Sequence, residues 1–182
     1  MPIILGSVNS PNTNNYYIGT GIVSVKLTGD LDYVDCGNAP TFEFLCKPTR
    51  LDHYSSRTGV KVRDAIAIVQ KDATLTMVLE EFTGRNVGMA FMGIPIIDSP
   101  PGSITVDIFS ASIIEAAIKF VGQNDVGPRW TAIFPKCRIT PSKAVSLIGN
   151  SKWGDMELEA DVLADPTTGF FGSVTATLSE SP

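Results

Sequence analysis

Histidine occurs once in the 182-residue chain, at His53, so clusters of two or three metal-binding imidazoles are excluded and any Ser–His or Cys–His pair must use it. It lies within Leu51–Asp64, LDHYSSRTGVKVRD, a polar run holding Ser55, Ser56 and Gly59. Such a run buries too little apolar surface to order itself and is read as a long exposed loop, a poor place to orient a general base. Two carboxylate pairs are the next candidates for acid–base work. Glu80 and Glu81 are adjacent, so on an extended chain they point to opposite faces and cannot share a substrate. Glu157 and Glu159 do share a face, but acids alternating with apolar residues are what a solvated strand shows. Gly19-Thr20-Gly21 opens like a dinucleotide fingerprint, yet Ser24 stands at its third position and the segment reads as strand. No GxxxxGK[ST] phosphate loop and no GxSxG elbow occurs. Cys36, Cys46 and Cys137 form an odd set without metal-ligand spacing, which argues against a disulfide framework or a zinc site. Cys36 and Cys46 could pair across a hairpin; buried free thiols are the preferred reading. The residues therefore predict no catalytic site, no cofactor and no metal, and the function must lie in the elements.

Those elements read mainly as short strands. Residues 1–15, rich in Asn with Pro2 and Pro11, form an irregular arm that only a neighbour can order. Tyr16 to Thr28 alternates as a strand, with Gly19 and Gly21 marking a bulge or a close backbone approach. Further strands are expected over Asp30–Asp35 and Thr41–Cys46, the latter closed by Pro48 before the long loop. An apolar, β-branched strand runs from Ala65 to Leu79. One helix follows: Thr83 is placed to cap it by accepting from the Asn86 N–H, Phe82 and Val87 have the spacing of a hydrophobic staple, and Gly93 before Pro95 ends it. Pro95–Gly102 is a connector. Strands then recur at Ile104–Phe109, Ile113–Val121, Trp130–Phe134 and Lys136–Thr140, with a short turn or helix from Pro141 to Val145. The cleanest alternation belongs to Met156, Leu158, Ala160 and Val162 against Glu157, Glu159 and Asp161, and Ser173–Leu178 closes the chain. Many short strands and one capped helix predict a mainly β protein, a β-sandwich or barrel with the helix at its side, in a single domain over residues 1–182.

The hydrophobic fraction of 43% and charged fraction of 18% are those of a globular chain. A net charge of −5 and an isoelectric point near 4.8 speak against a general nucleic-acid binder, which neutralises phosphates with surplus Lys and Arg. The charge is uneven. Arg50, His53, Arg57, Lys61, Arg63 and Lys71 cluster around the central loop, whereas after Lys152 only acids occur, Asp155, Glu157, Glu159, Asp161, Asp165 and Glu180. Two solvated surfaces explain this; so do complementary patches on successive copies of a stack, which would guide register more than supply affinity. The opening MPIILG lacks a cationic region and is too short for a signal peptide, and nothing approaches the ~20 apolar residues of a membrane helix. A soluble protein made in a cytoplasm is expected.

The run "HYSSR-G", the strand "QKDATL" and the helix opening "LEEFTGRN", with Met156–Gly172, MELEADVLADPTTGFFG, and the N-terminal YYIGTGIVSVKL, resemble the tail tube (major tail) proteins of tailed bacteriophages over most of the chain. The resemblance implies a tail-tube fold in hexameric rings, each subunit's inner sheet joining its neighbours' into one barrel. Rings stacked head to tail make the conduit for the genome, in a virion tail assembled in the bacterial cytoplasm. A heterologous contact that closes makes a ring, and sheet edges become joining surfaces. The implied partners are the chain itself, a tape measure protein inside the tube, tail terminator and tail-tip proteins, and DNA in transit, with no membrane insertion. Residues 48–64 become an inter-ring loop; Tyr54, Arg57, Lys61 and Arg63 on it, and Tyr16 and Tyr17 after the arm of residues 1–15, are the expected interface. Glu157, Glu159 and Asp161 are nominated for an acidic lumen that repels DNA, although the period does not say which way their strand faces. Two other readings stay open: the inner tube of a type VI secretion or other contractile injection device, and a monomeric β-sandwich binding module with an ordered pocket.

Overall fold

The computed structural model describes residues 11, 16–57, 59–97, 102–124, 127–149 and 151–177. The expected N-terminal arm, Pro11 apart, lies outside them, as does the last residue of the expected terminal strand. The chain is mainly β. Strands β1 (Thr20–Leu27), β2 (Val34–Asp35), β3 (Thr41–Ser55), β4 (Val62–Leu79), β7 (Ile114–Gln123), β8 (Arg129–Pro141), β9 (Met156–Val162) and β10 (Ser173–Thr177) form one antiparallel sheet. Their order is β2-β1-β7-β8-β9-β4-β3, with β10 beside the first half of β8 and β9 beside its second. A small hairpin of β5 (Pro95–Ile97) and β6 (Ile104–Val106) follows the single helix α1 (Gly84–Ala90).

Period-two alternation decides which face is buried. Leu75, Met77 and Leu79 on β4 and Met156, Leu158, Ala160 and Val162 on β9 point inward with Ile118, Phe134, Ile139, Val23 and Val25. The sheet curls upon itself. Phe42 on β3 stacks at 5.3 Å on Phe120 of β7, and Phe44 lies 4.9 Å from Phe134 of β8, although β3 stands at the far edge of the sheet. The seam is stitched where Cys36 N–H donates to Val23 O and Glu80 N–H to Asn38 O. Gly21 is the close approach its place in the strand predicts: a Cβ there would lie 2.5 Å from Val121 O and 2.6 Å from the Phe120 ring. The register of β1 on β7 runs through it without a bulge.

The helix begins as expected. The Thr83 hydroxyl accepts from Asn86 N–H at 3.2 Å, and Arg85 reaches from the first turn to Asp30 and to Val25 O, fastening α1 to the β1–β2 connection. The Arg85 hydrogen bond holds the Asp30 carboxyl below its ordinary value of 3.8. Its end is one residue off the expectation. Gly93 N–H donates to Gly88 O, closing a Schellman turn in which Met92, with φ 51°, takes the left-handed position. Gly93 is needed for space, since a Cβ there would meet Asp107 O at 2.5 Å.

Several boundaries move. Pro48 does not close β3; it continues in register with Lys71 to Ser55, because Pro forgoes only a donor and β3 is an edge strand. Most of the expected loop of residues 48–64 is therefore strand. Its partner begins at Val62, before Ala65, and of the described residues between them only 56, 57 and 59–61 lie outside the two strands. The two strands expected over Trp130–Thr140 are one, β8. Residues 30–33 are irregular after a turn at Thr28 and Gly29, and only Val34–Asp35 pairs; Pro95–Ile97 is strand where a connector was expected; β6 stops at Val106; and 142–145 is irregular. Cys36 and Cys137 are buried free thiols, whereas Cys46 is exposed and free.

Candidate assembly surfaces

Strand β4 changes character midway. Ala73–Leu79 alternates between buried and half-buried and is flanked by β9, while Val62–Asp72 is exposed throughout and pairs with β3 alone. Residues Pro48–Ser55 and Val62–Lys71 thus form a two-stranded ribbon that outruns the sheet, with apolar Leu51, Tyr54, Val62, Ile66, Ile68 and Val69 exposed on it. Bulges at Thr49/Arg50 and His53/Tyr54 increase its twist. Arg63 donates to Asp52 at 3.3 Å, and His53 Nδ1 lies 2.5 Å from Asp64 Oδ1.

The ribbon gathers four of the six expected interface residues. Tyr54 and Arg63 are register partners, Arg57 lies in the turn, and Lys61 precedes β4. Tyr16 and Tyr17 are exposed elsewhere, where the chain enters β1. Asn124, buried, holds that entry: its side chain accepts from Ile18 N–H and donates to Tyr16 O and Pro128 O. The structure revises one argument about His53. It is on a strand and oriented by Asp64, not in a loop, but its side chain is 71% exposed and no serine or cysteine bonds its other ring nitrogen among the described residues. Nothing there assembles a nucleophile or an oxyanion site.

The carboxylates also fall differently from expectation. Glu80 and Glu81 lie past the end of β4 and converge on one residue, Glu81 accepting from the Asn38 N–H at 3.0 Å and Glu80 from its side-chain amide. They close the barrel seam over Gly37, whose φ of 79° and contact with the Glu81 carboxyl leave no space for a side chain. Glu157, Glu159 and Asp161 do share the polar face of β9 and have Val78, Thr76 and Thr74 as register neighbours. Glu43 belongs to the same face, opposite Thr76. Lys143 pairs with Glu157 at 3.2 Å and Arg138 with Glu115 at 3.1 Å, so Glu43, Glu159 and Asp161 take part in no ion pair among the described residues.

A second apolar surface was not read from the sequence. An open groove runs between the end of β1, α1 and the start of β7, lined by Leu27, Met89, Ile94, Pro95, Ile113 and Ile114. Beside it Phe109 projects, 73% exposed, with φ 59°. Its loop is fixed by hydrogen bonds from Phe109 N–H to Phe91 O, Ala111 N–H to Met92 O and Ile94 N–H to Ser110 Oγ. Among the described residues, no group of three or more His, Cys, Asp or Glu could hold a metal ion, and no helix is long and apolar enough to cross a membrane.

No protein-family model matches the chain, and no curated protein matches its sequence. Among solved structures, its fold is similar to a chain in the sixfold-symmetrised cryo-electron microscopy structure of the anti-feeding prophage baseplate. The TM-score is 0.53 at 10% identity, over 92% of this chain and 97% of that one. At that identity the likeness is one of fold.

Proposed function

We propose that this chain is a structural component of a phage-tail-like particle, a subunit that joins copies of itself into sixfold rings stacked into a tail tube. The observation that carries the reading is the β3–β4 ribbon. Isolated two-stranded hairpins are marginal in water, and this one leaves apolar side chains exposed with no core of its own beneath them. A surface of that kind gains from being covered by another protein. The outer edges of β3 and β10 offer unpaired backbone to neighbouring sheets. Fold similarity to a sixfold particle component supports the symmetry. In this reading Tyr54, Arg57, Lys61 and Arg63 face the next ring, Tyr16 and Tyr17 guide the arm, and Glu157, Glu159 and Asp161 line the lumen. Tape measure, terminator and tip proteins would then be its neighbours, in a virion tail.

A second reading, a ring in a contractile injection device, is favoured by the same neighbour, which belongs to an anti-feeding prophage baseplate. The test of the shared premise is negative-stain electron microscopy of the purified protein at rising concentration. Hollow rings or striated tubes are expected. A chain that stays monomeric even when seeded with tail tips or preformed tubes would overturn self-assembly and favour a monomeric binding module.

A further inference from the structure

Strand β4 ends at Leu79, and Glu80, Glu81 and Phe82 follow it onto the rim of the barrel seam. There they meet Trp153 and Gly154, from the segment that leads into β9. Phe82 rests against the Gly154 backbone, where a Cβ would stand 3.1 Å from its ring. Phe82, Trp153 and Gly154 form the shared wall of two adjoining concavities. Asn38, Glu80 and Glu81 complete the first, and Ser146, Leu147 and Lys152 are among the residues that complete the second.

Two independent observations mark this rim for a partner. The first is apolar. Trp153 is 86% exposed and Leu147 76%, and Phe82 between them is exposed as well. Apolar side chains scattered singly over a surface are ordinary, but three on one concavity are a patch, and tryptophan is enriched among the side chains that dominate interface energetics. The second is electrostatic. Glu80 and Glu81 both accept from Asn38, a neutral group, and neither takes part in an ion pair among the described residues. Lys152, the cation on the same rim, is held by Asp155 at 3.0 Å. An aromatic face and a carboxylate attract the same group, a planar cation that stacks on the ring and donates to the acid, and guanidinium does both. We infer that this rim binds an arginine-bearing segment of a partner protein, the arginine against Glu80, Glu81 and Trp153 and an adjoining apolar side chain against Leu147 and Phe82. The chain's own ribbon cannot supply that arginine. The 18 residues of β4 separate the ribbon turn from the seam, roughly 60 Å of strand. Binding there needs no ring, so it stands or falls apart from the stacking proposed above.

Calorimetric titration of the full chain with the peptide acetyl-Leu-Arg-Leu-amide tests the site, with citrulline in place of arginine as the neutral isostere. The arginine peptide should give saturable heat and bind at least about tenfold more tightly than the citrulline peptide. Glu80→Gln with Glu81→Gln keeps an acceptor for each Asn38 donor while removing both charges. It should bring the two peptides to equal affinity at an unchanged melting temperature. Trp153→Ala alters no seam hydrogen bond and should weaken the arginine peptide severalfold, and it carries the test if the double glutamine variant melts early. Absence of saturable heat, equal affinity of the two peptides for the parental chain, or parental affinity in a folded variant would overturn the site. Loss of the peptide's heat when the chain assembles by itself at high concentration would assign the rim to a second copy and overturn the separate partner. A chain that binds the peptide but never forms rings keeps the site and fails the stacking reading.

Discussion

Phe109 holds a left-handed backbone that costs a non-glycine residue about 1 kcal/mol or more, and it recovers little of this by burial because the residue is 73% exposed. The hydrogen bonds to Phe91 and Met92 keep the loop in place. Replacement by glycine should therefore raise unfolding free energy by up to about 1 kcal/mol, read by urea denaturation, while assembly weakens. A Phe109→Gly variant that is less stable would show that the ring supports the monomer. Thiol chemistry gives a second outcome at this scale. Burial pushes Cys36 up to about 11 and Cys137 up to about 12, so neither supplies appreciable thiolate at pH 8, and both are shielded. A native sample treated with a thiol-specific chromogen should release one equivalent, from Cys46, and all three only after unfolding. Asp30 adds a pH term of definite sign. Its lowered carboxyl stabilises the fold above its ordinary value of 3.8, and that contribution is lost as pH falls through the lower folded value.

At the scale of elements the ribbon is the part whose stability and function separate. Ile66 and Ile68 are exposed on a strand that carries no core at that point, so Ile66→Asp with Ile68→Asp should change monomer stability by no more than about 0.5 kcal/mol per site. The same double variant should abolish sedimentable assemblies. Unfolding of the variant at markedly lower temperature would mean that the ribbon packs on its own subunit. The sequence showed the apolar strand of the ribbon but misread its polar partner as loop. Asp52, Ser55, Ser56 and Gly59 signal turn, and the pairing that makes Pro48–Ser55 a strand is supplied by another segment, Val62–Lys71. Where burial enforces a period, as at Met156–Val162 or around the Thr83 cap, the reading from residues alone and the structure agree. The groove was invisible for a related reason. Leu27, Met89, Ile94 and Ile113 belong to separate elements and only curling of the sheet brings them together. The convergence of Glu80 and Glu81 on Asn38 likewise depends on β4 ending at Leu79, one residue before the pair.

For the whole molecule, on the tube reading proposed above, the charge of the sheet's polar face predicts which way that face looks. Glu43, Glu159 and Asp161 add to one face three acids that no ion pair neutralises among the described residues, with Arg138 as the register neighbour of Asp161 and Lys47 near Glu43, while Arg50, Arg57, Lys61 and Arg63 are on the ribbon. A conduit for DNA works better when its wall does not bind phosphate, because each neutralised phosphate adds counterion-release affinity and would retard sliding. If β9 lines the lumen, the triple variant Glu157→Gln, Glu159→Gln and Asp161→Asn keeps its tubes but slows genome ejection, most of all at low salt, where the Debye length of ~10 Å at 0.1 M grows and repulsion reaches across more of the channel. Glu157 is paired with Lys143, so its single replacement should matter least and Asp161 or Glu159 more. Should ejection through intact tubes proceed at the parental rate at every salt concentration, the face would look outward, and the acids would instead set how tubes repel one another in solution.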